Sequence, residues 1–278
     1  MAIKVNKDAL PEEGEYTANP ETMYIPAGTH PAVLVSYVEL GKHYKTFMGK
    51  KAVYGKESKK AGQVRPPELL INLVFEFPTC EYTGDFPLCI ATSVPMKAGG
   101  TMNTLSVSDS LAEGTLSRSF AMKTNFMKYL VAMQDATGKD YQSLADFVGT
   151  GFLCTVTNNT GKPDKDGNVR TYANMKPDGI QGLSFRHPVT GVVETIPCPE
   201  PIGTYCSVFD WDDPDIEEFN KLPKYMKEFI AKAENFPGSA IEALIKGQPS
   251  SEGTEDMSED TVQEPVDPAE PYDDDVPY

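Results

Sequence analysis

Long apolar segments of the kind that cross a membrane are missing from this sequence. Its longest apolar stretch, residues 69–77, is far shorter than the roughly 20 residues that a membrane-spanning helix requires. The first 16 residues contain no apolar core of the kind found in signal peptides. These absences predict a soluble, unexported, cytoplasmic protein with no membrane partner.

Residues that bind metals or form disulfides are also scarce. The chain has three histidines, and its five cysteines form no Cys-x-x-Cys pair. This scatter argues against a zinc site, and the odd cysteine count predicts buried, reduced thiols in a reducing compartment. No phosphate-loop or nucleophile-elbow motif is present. We therefore expect no metal, no cofactor and no enzymatic activity. The cysteines are Cys80, Cys89, Cys154, Cys198 and Cys206.

Basic residues are in the minority, but they are unevenly distributed. The chain has 25 Lys and Arg against 41 Asp and Glu, for a net charge of −16. That total alone argues against nucleic acid, because an acidic surface repels phosphate. However, residues 247–278 hold 11 acids and no base, whereas residues 41–186 hold 18 bases and 13 acids. A mildly basic body with an acidic C-terminal extension is typical of nucleic-acid-binding and interaction proteins.

Most of this positive charge lies in residues 41–65, which we call the basic segment. Its only acid is Glu57, and Tyr44, Phe47 and Tyr54 are interleaved with its bases. Four glycines and the lack of an apolar period predict a long loop or loose hairpin. Lysines suit phosphates and aromatic rings suit unstacked bases, so the pattern predicts sequence-independent binding of single-stranded DNA. A merely solvated loop is the alternative. The eight bases are Lys42, Lys45, Lys50, Lys51, Lys56, Lys59, Lys60 and Arg65.

The rest of the body predicts mainly β structure with helices. Main strands are predicted over residues 30–40, 68–78, 86–96, 151–159 and 169–175, with short pieces near 192–196 and 205–209. Helices are predicted over residues 116–133 and 140–149 and within residues 213–247. Residues 68–78 alternate apolar and polar side chains, which predicts a half-buried strand.

The order of these elements is that of a five-stranded Greek-key barrel, the OB-fold, with a helix between strands three and four. The loops between its first and second strands and between its fourth and fifth strands bind oligonucleotides. The basic segment occupies the first of these loops, and a tight hairpin around Asp166 and Gly167 occupies the second. We divide the chain into an N-terminal arm (1–29), an OB-fold nucleic-acid-binding domain (30–209), a C-terminal helical extension (210–246) and a disordered acidic tail (247–278).

Further candidate contacts lie on or near the strands. Phe75 and Phe77 are candidate stacking residues, but both also fit a hydrophobic core, and the sequence leaves this choice open. The other candidate stacking residues are Tyr82 and Tyr172. The other candidate phosphate contacts are Lys97, Arg170 and Lys176.

The C-terminal tip resembles that of bacterial single-stranded DNA-binding proteins. In that family a disordered linker ends in several aspartates, an aliphatic residue, proline and a terminal phenylalanine, where this chain has tyrosine. The resemblance implies that the tip recruits partner proteins, whereas a solubility extension is the alternative. The tip residues are Asp273, Asp274, Asp275, Val276, Pro277 and Tyr278.

The body resembles phage-encoded OB-fold single-stranded DNA-binding proteins. It shares their plan of a basic loop after the first strand, a helix before the fourth strand, C-terminal helices and an acidic tail. The resemblance implies a role in coating DNA during replication, recombination or repair. It also implies polymerase, helicase or nuclease partners for the tail, and the host cytoplasm as the compartment if the gene is phage-encoded.

An acidic cluster before the C-terminal helices supports a different hypothesis. Asp210, Asp212, Asp213 and Asp215 could bind two metal ions in a nuclease, although acids in this position more often cap a helix. A third hypothesis is a viral structural or adaptor protein whose basic segment contacts protein.

Overall fold

The computed structural model describes residues 25–47, 50–56, 58–80, 88–92, 94–95, 101–102, 105–160, 169, 171–186, 189–198 and 200–247. Its strands are β1 (Gly28–His43), β2 (Thr46–Phe47), β3 (Lys50–Lys51), β4 (Glu68–Glu76), β5 (Cys89–Ala91), β6 (Val94–Pro95), β7 (Thr101–Met102), β8 (Leu105–Val107), β9 (Gly151–Thr160), β10 (Thr171–Gln181), β11 (Ser184–Arg186), β12 (Val193–Thr195) and β13 (Val208–Phe209). Its helices are α1 (Asp109–Ala112), α2 (Arg118–Ala121), α3 (Asn125–Thr137), a 3₁₀ turn (Ala145–Phe147), α4 (Ile216–Lys221), α5 (Lys224–Ile230) and α6 (Ala240–Lys246). The protein is mainly β with a few helices, as the sequence predicts.

β1 organises the principal sheet. Its first part pairs with β9, most of its length pairs with β4, and Tyr37 and Val38 pair in parallel with β13. The sheet runs β10-β9-β1-β4-β5, with β8 as a second partner of β4. The main pairs are antiparallel, and the sheet is not closed into a barrel. The prediction of mainly β structure is thus confirmed, whereas the closed form of the predicted barrel is not.

Both faces of β1 and β4 are buried, in two separate hydrophobic cores. On one face, Leu34 and Leu73 pack with Met133 of α3. On the other, Leu40 and Leu70 belong to a core that α4, α5 and α6 complete. The prediction of a half-buried strand over residues 68–78 is therefore wrong about its polar face. Asn72 and Glu76 are fully buried, and Glu76 accepts hydrogen bonds from the backbone N–H groups of Ile202 and Gly203.

The contact between Gly41 and Trp211 joins β1 to the C-terminal part of the chain. Gly41 has a φ of +85°, and a Cβ atom there would overlap the Trp211 ring and lie 2.5 Å from the Cβ of Ala233. The backbone of Trp211 donates to the carboxylate of Glu39 at 3.0 Å. Only glycine fits this approach, because it has no Cβ and tolerates positive φ.

The single helix predicted over residues 116–133 is two helices. α2 ends near Ala121, and α3 begins after Thr124, whose hydroxyl accepts from the backbone N–H of Met127 at 3.3 Å. The second predicted helix, over residues 140–149, is reduced to one 3₁₀ turn. No helix in the described ranges is long and apolar enough to cross a membrane.

Candidate nucleic-acid interface

The basic segment folds into a small β meander rather than a loose loop. β2 and β3 pair with each other, and the backbone of Ala52 hydrogen-bonds to both Lys45 and Arg65. Tyr54 donates its N–H to Gln63 and accepts from Gly62. These hydrogen bonds pair three short extended segments in an antiparallel arrangement, so the backbone that carries the lysines is held by regular pairing.

One buried carboxylate anchors the two ends of this meander. Glu68 is 8% exposed, and its carboxylate lies 2.9 Å from the Lys45 ammonium group and 3.7 Å from the Arg65 guanidinium group. Burial raises the pKa of Glu68, but hydrogen bonds from Lys45 and Ser106 and the nearby charges of Lys45 and Arg65 outweigh burial and lower its pKa overall. Glu68 therefore stays ionised and fixes where the basic segment leaves the sheet.

The C-terminal region holds the beginning of the basic segment. The backbone of Lys42 accepts from the N–H of Glu234 at 2.8 Å and donates to the side-chain oxygen of Asn235 at 2.7 Å. His43 is buried and stacks on Phe229, with ring centroids 4.1 Å apart. These contacts hold the first residues of the basic segment against the C-terminal region.

Cations lie against both described tyrosine rings of the segment. The Lys51 ammonium is 3.3 Å from the Tyr44 ring centroid. Lys60 and Arg65 each place their charge 5.7 Å from the Tyr54 ring centroid, within the range of a cation–π contact. Each tyrosine therefore combines an aromatic face with adjacent positive charge.

A cleft of about 610 Å³ lies between the basic segment and helices α1 to α3, and we call it the basic cleft. Its basic side chains are Lys45, Lys60, Arg65 and Lys123, and its aromatic side chains are Tyr54 and Phe120. Its carboxylates are Glu68, which is paired as described, and Asp109, whose carboxylate is 2.7 Å from the Lys42 ammonium. Positive charge therefore exceeds negative charge in the cleft.

Phe120 and Lys123 are residues that the sequence reasoning missed. Phe120 is 62% exposed, which is unusual for so large an apolar ring, and the Lys123 ammonium lies 5.5 Å from its centroid. Phe120 falls at the helical spacing of the apolar residues between positions 116 and 133, so periodicity gives no sign that it is exposed. The sequence signal that could have shown this is Thr124. Threonine is a common N-cap residue, so it marks the start of a new helix and places Phe120 outside the helix that packs on the core.

Comparison of the chain with models of protein families, with curated proteins and with solved structures found no match. The geometry therefore carries the functional argument. Four predicted contact residues line the basic cleft, namely Lys45, Tyr54, Lys60 and Arg65.

None of the other predicted contact residues that the structure describes lines the basic cleft. Lys50, Lys56 and Lys59 are exposed, and no ion pair links them to another described residue. Lys42, Tyr44 and Lys51 lie near the start of the basic segment. Lys176 is exposed beside α3.

Phe75 and Phe77 are fully buried in the core. Their prediction as stacking residues is therefore wrong, because neither ring offers a face to a base. The other predicted residues are not among those that the structure describes: they are Tyr82, Lys97, Arg170, residues 273–278 and the side chains of Phe47 and Tyr172.

The aspartates of the acidic cluster take part in local backbone contacts. Asp210 accepts from the N–H groups of Asp212 and Asp213, and Asp215 caps α4 by accepting from Glu217 and Glu218. Within the described ranges, no group of three or more His, Cys, Asp or Glu side chains could hold a metal ion.

Three of the five cysteines are buried, as predicted, but two are not. Cys80, Cys154 and Cys206 are buried free thiols, whereas Cys89 and Cys198 are exposed. The prediction that all five are buried is therefore wrong for these two positions.

Proposed function

We propose that this protein binds single-stranded DNA without sequence preference and that the basic cleft receives the strand. The observation that carries the proposal is the convergence of four basic side chains and two aromatic rings in one cleft of about 610 Å³. A single strand presents phosphates and unstacked base faces together, and this combination of side chains matches both.

The two aromatic rings supply the stacking part of this binding. Tyr54 is half-buried, with the charges of Lys60 and Arg65 near its ring, whereas Phe120 on α2 is exposed. Stacking of a base on such a ring contributes about 1–3 kcal/mol. Lysines complement the phosphates without demanding a fixed geometry, which suits binding to any sequence.

The strand order supports an OB-like architecture as part of the proposal. With β1, β4, β5, β9 and β10 numbered one to five, the sheet runs five, four, one, two, three. A pairing of the third strand with the fifth would close this order into a five-stranded barrel. Cα atoms of β5 and β10 come within 8 Å of each other, so the two ends of the sheet are near neighbours. OB-folds are often only partly closed.

The acidic C-terminus completes the proposed function. Residues 273–278 resemble a partner-recruiting tip, so we propose that the bound protein brings replication or recombination enzymes to the strand. The protein itself acts as a binding protein rather than an enzyme. We place it in the cytoplasm, that of the host cell if the gene belongs to a phage.

Binding of oligo-dT and of duplex DNA, each at two salt concentrations with and without magnesium, tests the proposal. We expect oligo-dT to bind more tightly than duplex, to weaken as salt rises because counterions are released on binding, and to remain intact with magnesium. The proposal would be contradicted if oligo-dT did not bind, or if duplex DNA bound as tightly as oligo-dT. Magnesium-dependent cleavage that is lost in Asp213→Asn would instead indicate a nuclease.

A further inference from the structure

A second cleft, of about 860 Å³, lies between α3 and strands β9 and β10, and we call it the amide cleft. Its lining includes the apolar side chains of Met122, Val131 and Met175. The Tyr129 hydroxyl donates to the backbone oxygen of Met175 at 3.3 Å, which ties the helix to β10. The cleft is therefore formed by two fixed elements of the fold.

Carboxamides are more numerous in this lining than in that of the basic cleft, where Asn125 is the one asparagine. Asn125, Asn159 and Asn174 all line it, together with Thr157. An asparagine side chain both donates and accepts hydrogen bonds in one plane, which matches the edge of a nucleobase. Apolar side chains in the same lining suit the flat faces of a heterocycle.

The charges of the amide cleft are balanced. Lys128 and Lys176 line it, but so do Asp135 and Asp178. A phosphate chain would therefore find little net attraction there, in contrast to the basic cleft, where basic groups exceed acidic ones. The lining favours an uncharged, planar, hydrogen-bonding group.

Asn125, the first residue of α3, lines both clefts. The two clefts are therefore neighbours at the start of α3, which places both within reach of one strand. We propose that the amide cleft is a nucleobase subsite, in which bases of the strand held by the basic cleft are recognised through their edges by Asn125 and Asn159. This inference rests on the proposed function and refines it: the basic cleft binds a strand of any sequence, and the amide cleft adds a moderate preference among the bases.

The test compares equal-length oligo-dA, oligo-dC and oligo-dT with wild type and with the double variant Asn125→Ala/Asn159→Ala. Both side chains are exposed, so the double variant is expected to fold as the wild type does. Discrimination by an amide that pairs with a base edge amounts to about 5- to 150-fold. We expect wild type to differ at least about fivefold between its best and worst homopolymer, and the double variant to reduce this ratio to about twofold.

An exposed amide on the other face of the sheet serves as the control. Asn220 lies on α4, and Asn220→Ala should keep the wild-type ratios. Wild type that binds all homopolymers equally, or a double variant that retains the wild-type ratios, would overturn the subsite while leaving the proposed DNA binding intact. Wild type that binds none of the oligonucleotides would overturn the proposed function itself.

Discussion

The ammonium group of Lys51 lies 3.3 Å from the centroid of the Tyr44 ring and 3.9 Å from the carboxylate of Glu234. The neighbouring Lys50 has an exposed side chain, and no ion pair links it to another described residue. Two consecutive lysines of the basic segment thus differ in how much of their charge is already engaged. The difference provides a matched pair for measuring which charges serve a ligand.

Replacing Lys50 should affect the salt dependence of binding more than replacing Lys51. A lysine that neutralises one phosphate of a single strand contributes about 0.7 to the slope of log K against log salt. We expect Lys50→Met to reduce the oligo-dT slope by about this amount, and Lys51→Met to reduce it by less than half as much. Titrations at several salt concentrations measure both slopes. Equal reductions would show that the contact with Tyr44 does not restrain Lys51.

Removing either aromatic ring of the basic cleft should weaken binding of oligo-dT. We expect Tyr54→Ala and Phe120→Ala each to cost about 1–3 kcal/mol, because each ring offers a face for one base. Fluorescence anisotropy with labelled oligo-dT measures the loss. Tyr225 is 53% exposed on α5, outside the basic cleft, and Tyr225→Ala is the control that should bind as wild type does. Unchanged affinity in both cleft variants would remove these rings from the site.

The strands were predictable wherever their pattern is local. Those predicted over residues 68–78 and 151–159 correspond to β4 and β9, because each carries its own run of β-forming residues. The buried second face of β4 was not predictable from alternation, since the groups that cover it come from residues 202–241. β8 has only three residues and is defined by its partner strand rather than by its own sequence, whereas β12 and β13 lie within the short pieces predicted near residues 192–196 and 205–209.

Composition predicted the candidate site better than periodicity did. The clustering of lysines and aromatic residues located the basic segment, and four of its members line the basic cleft. Helical spacing groups Phe120 with the apolar residues of one predicted helix, whereas the break at Thr124 leaves it exposed on α2. Phe75 and Phe77 fitted both a core and a stacking surface, because the sequence does not show which aromatic side chains are covered by elements distant in the chain.

Gly41→Ala should destabilise the fold strongly. The new Cβ would overlap the Trp211 ring, and overpacking of this kind costs about 1–3 kcal/mol in addition to the strain of a positive φ. Gly114 has a comparable φ of +68° and open space around it, so Gly114→Ala isolates the backbone strain. Urea denaturation should show that Gly41→Ala has the lower unfolding free energy. Equal losses would mean that the Trp211 contact adjusts at no cost.

The ion pairs of Glu68 should stabilise the protein only while that side chain is ionised. Its pKa is lowered in the folded state, so the contribution is fully present above the unfolded pKa of about 4.3 and is lost as pH falls through the lower folded value. A partly exposed pair is worth about 1 kcal/mol. At pH 7 we expect Glu68→Gln to lower Tm by about 2–4 °C.

Thermal unfolding between pH 7 and pH 3 follows this contribution. The Tm difference between wild type and Glu68→Gln should shrink towards zero at the acidic end. Glu228 is exposed on α5, and Glu228→Gln controls for the loss of one negative charge. A difference that stays constant with pH would mean that the charge of Glu68 is not what stabilises the fold.

A chain that ends at Gly247 should bind oligo-dT more tightly than the full chain at low salt. The removed residues carry 11 acids and no base, and we expect them to compete with DNA for the basic cleft because they belong to the same chain. The gain should diminish as salt screens the competing charges. A full-length variant with these acids changed to Asn and Gln should match the truncated protein. Equal affinities of truncated and full-length protein at low salt would exclude the competition.

The contacts between the start of the basic segment and the C-terminal region also constrain when the protein can fold during its synthesis. Lys42 and Asn235, which hydrogen-bond to each other, are separated by 193 positions along the chain. At ribosomal speeds of about 5–20 residues per second, β1 waits about 10–40 s for the residues that cover its second face. Val38 and Leu40 therefore lack their covering residues for that time, so the second core forms only after the residues of α4, α5 and α6 have been made.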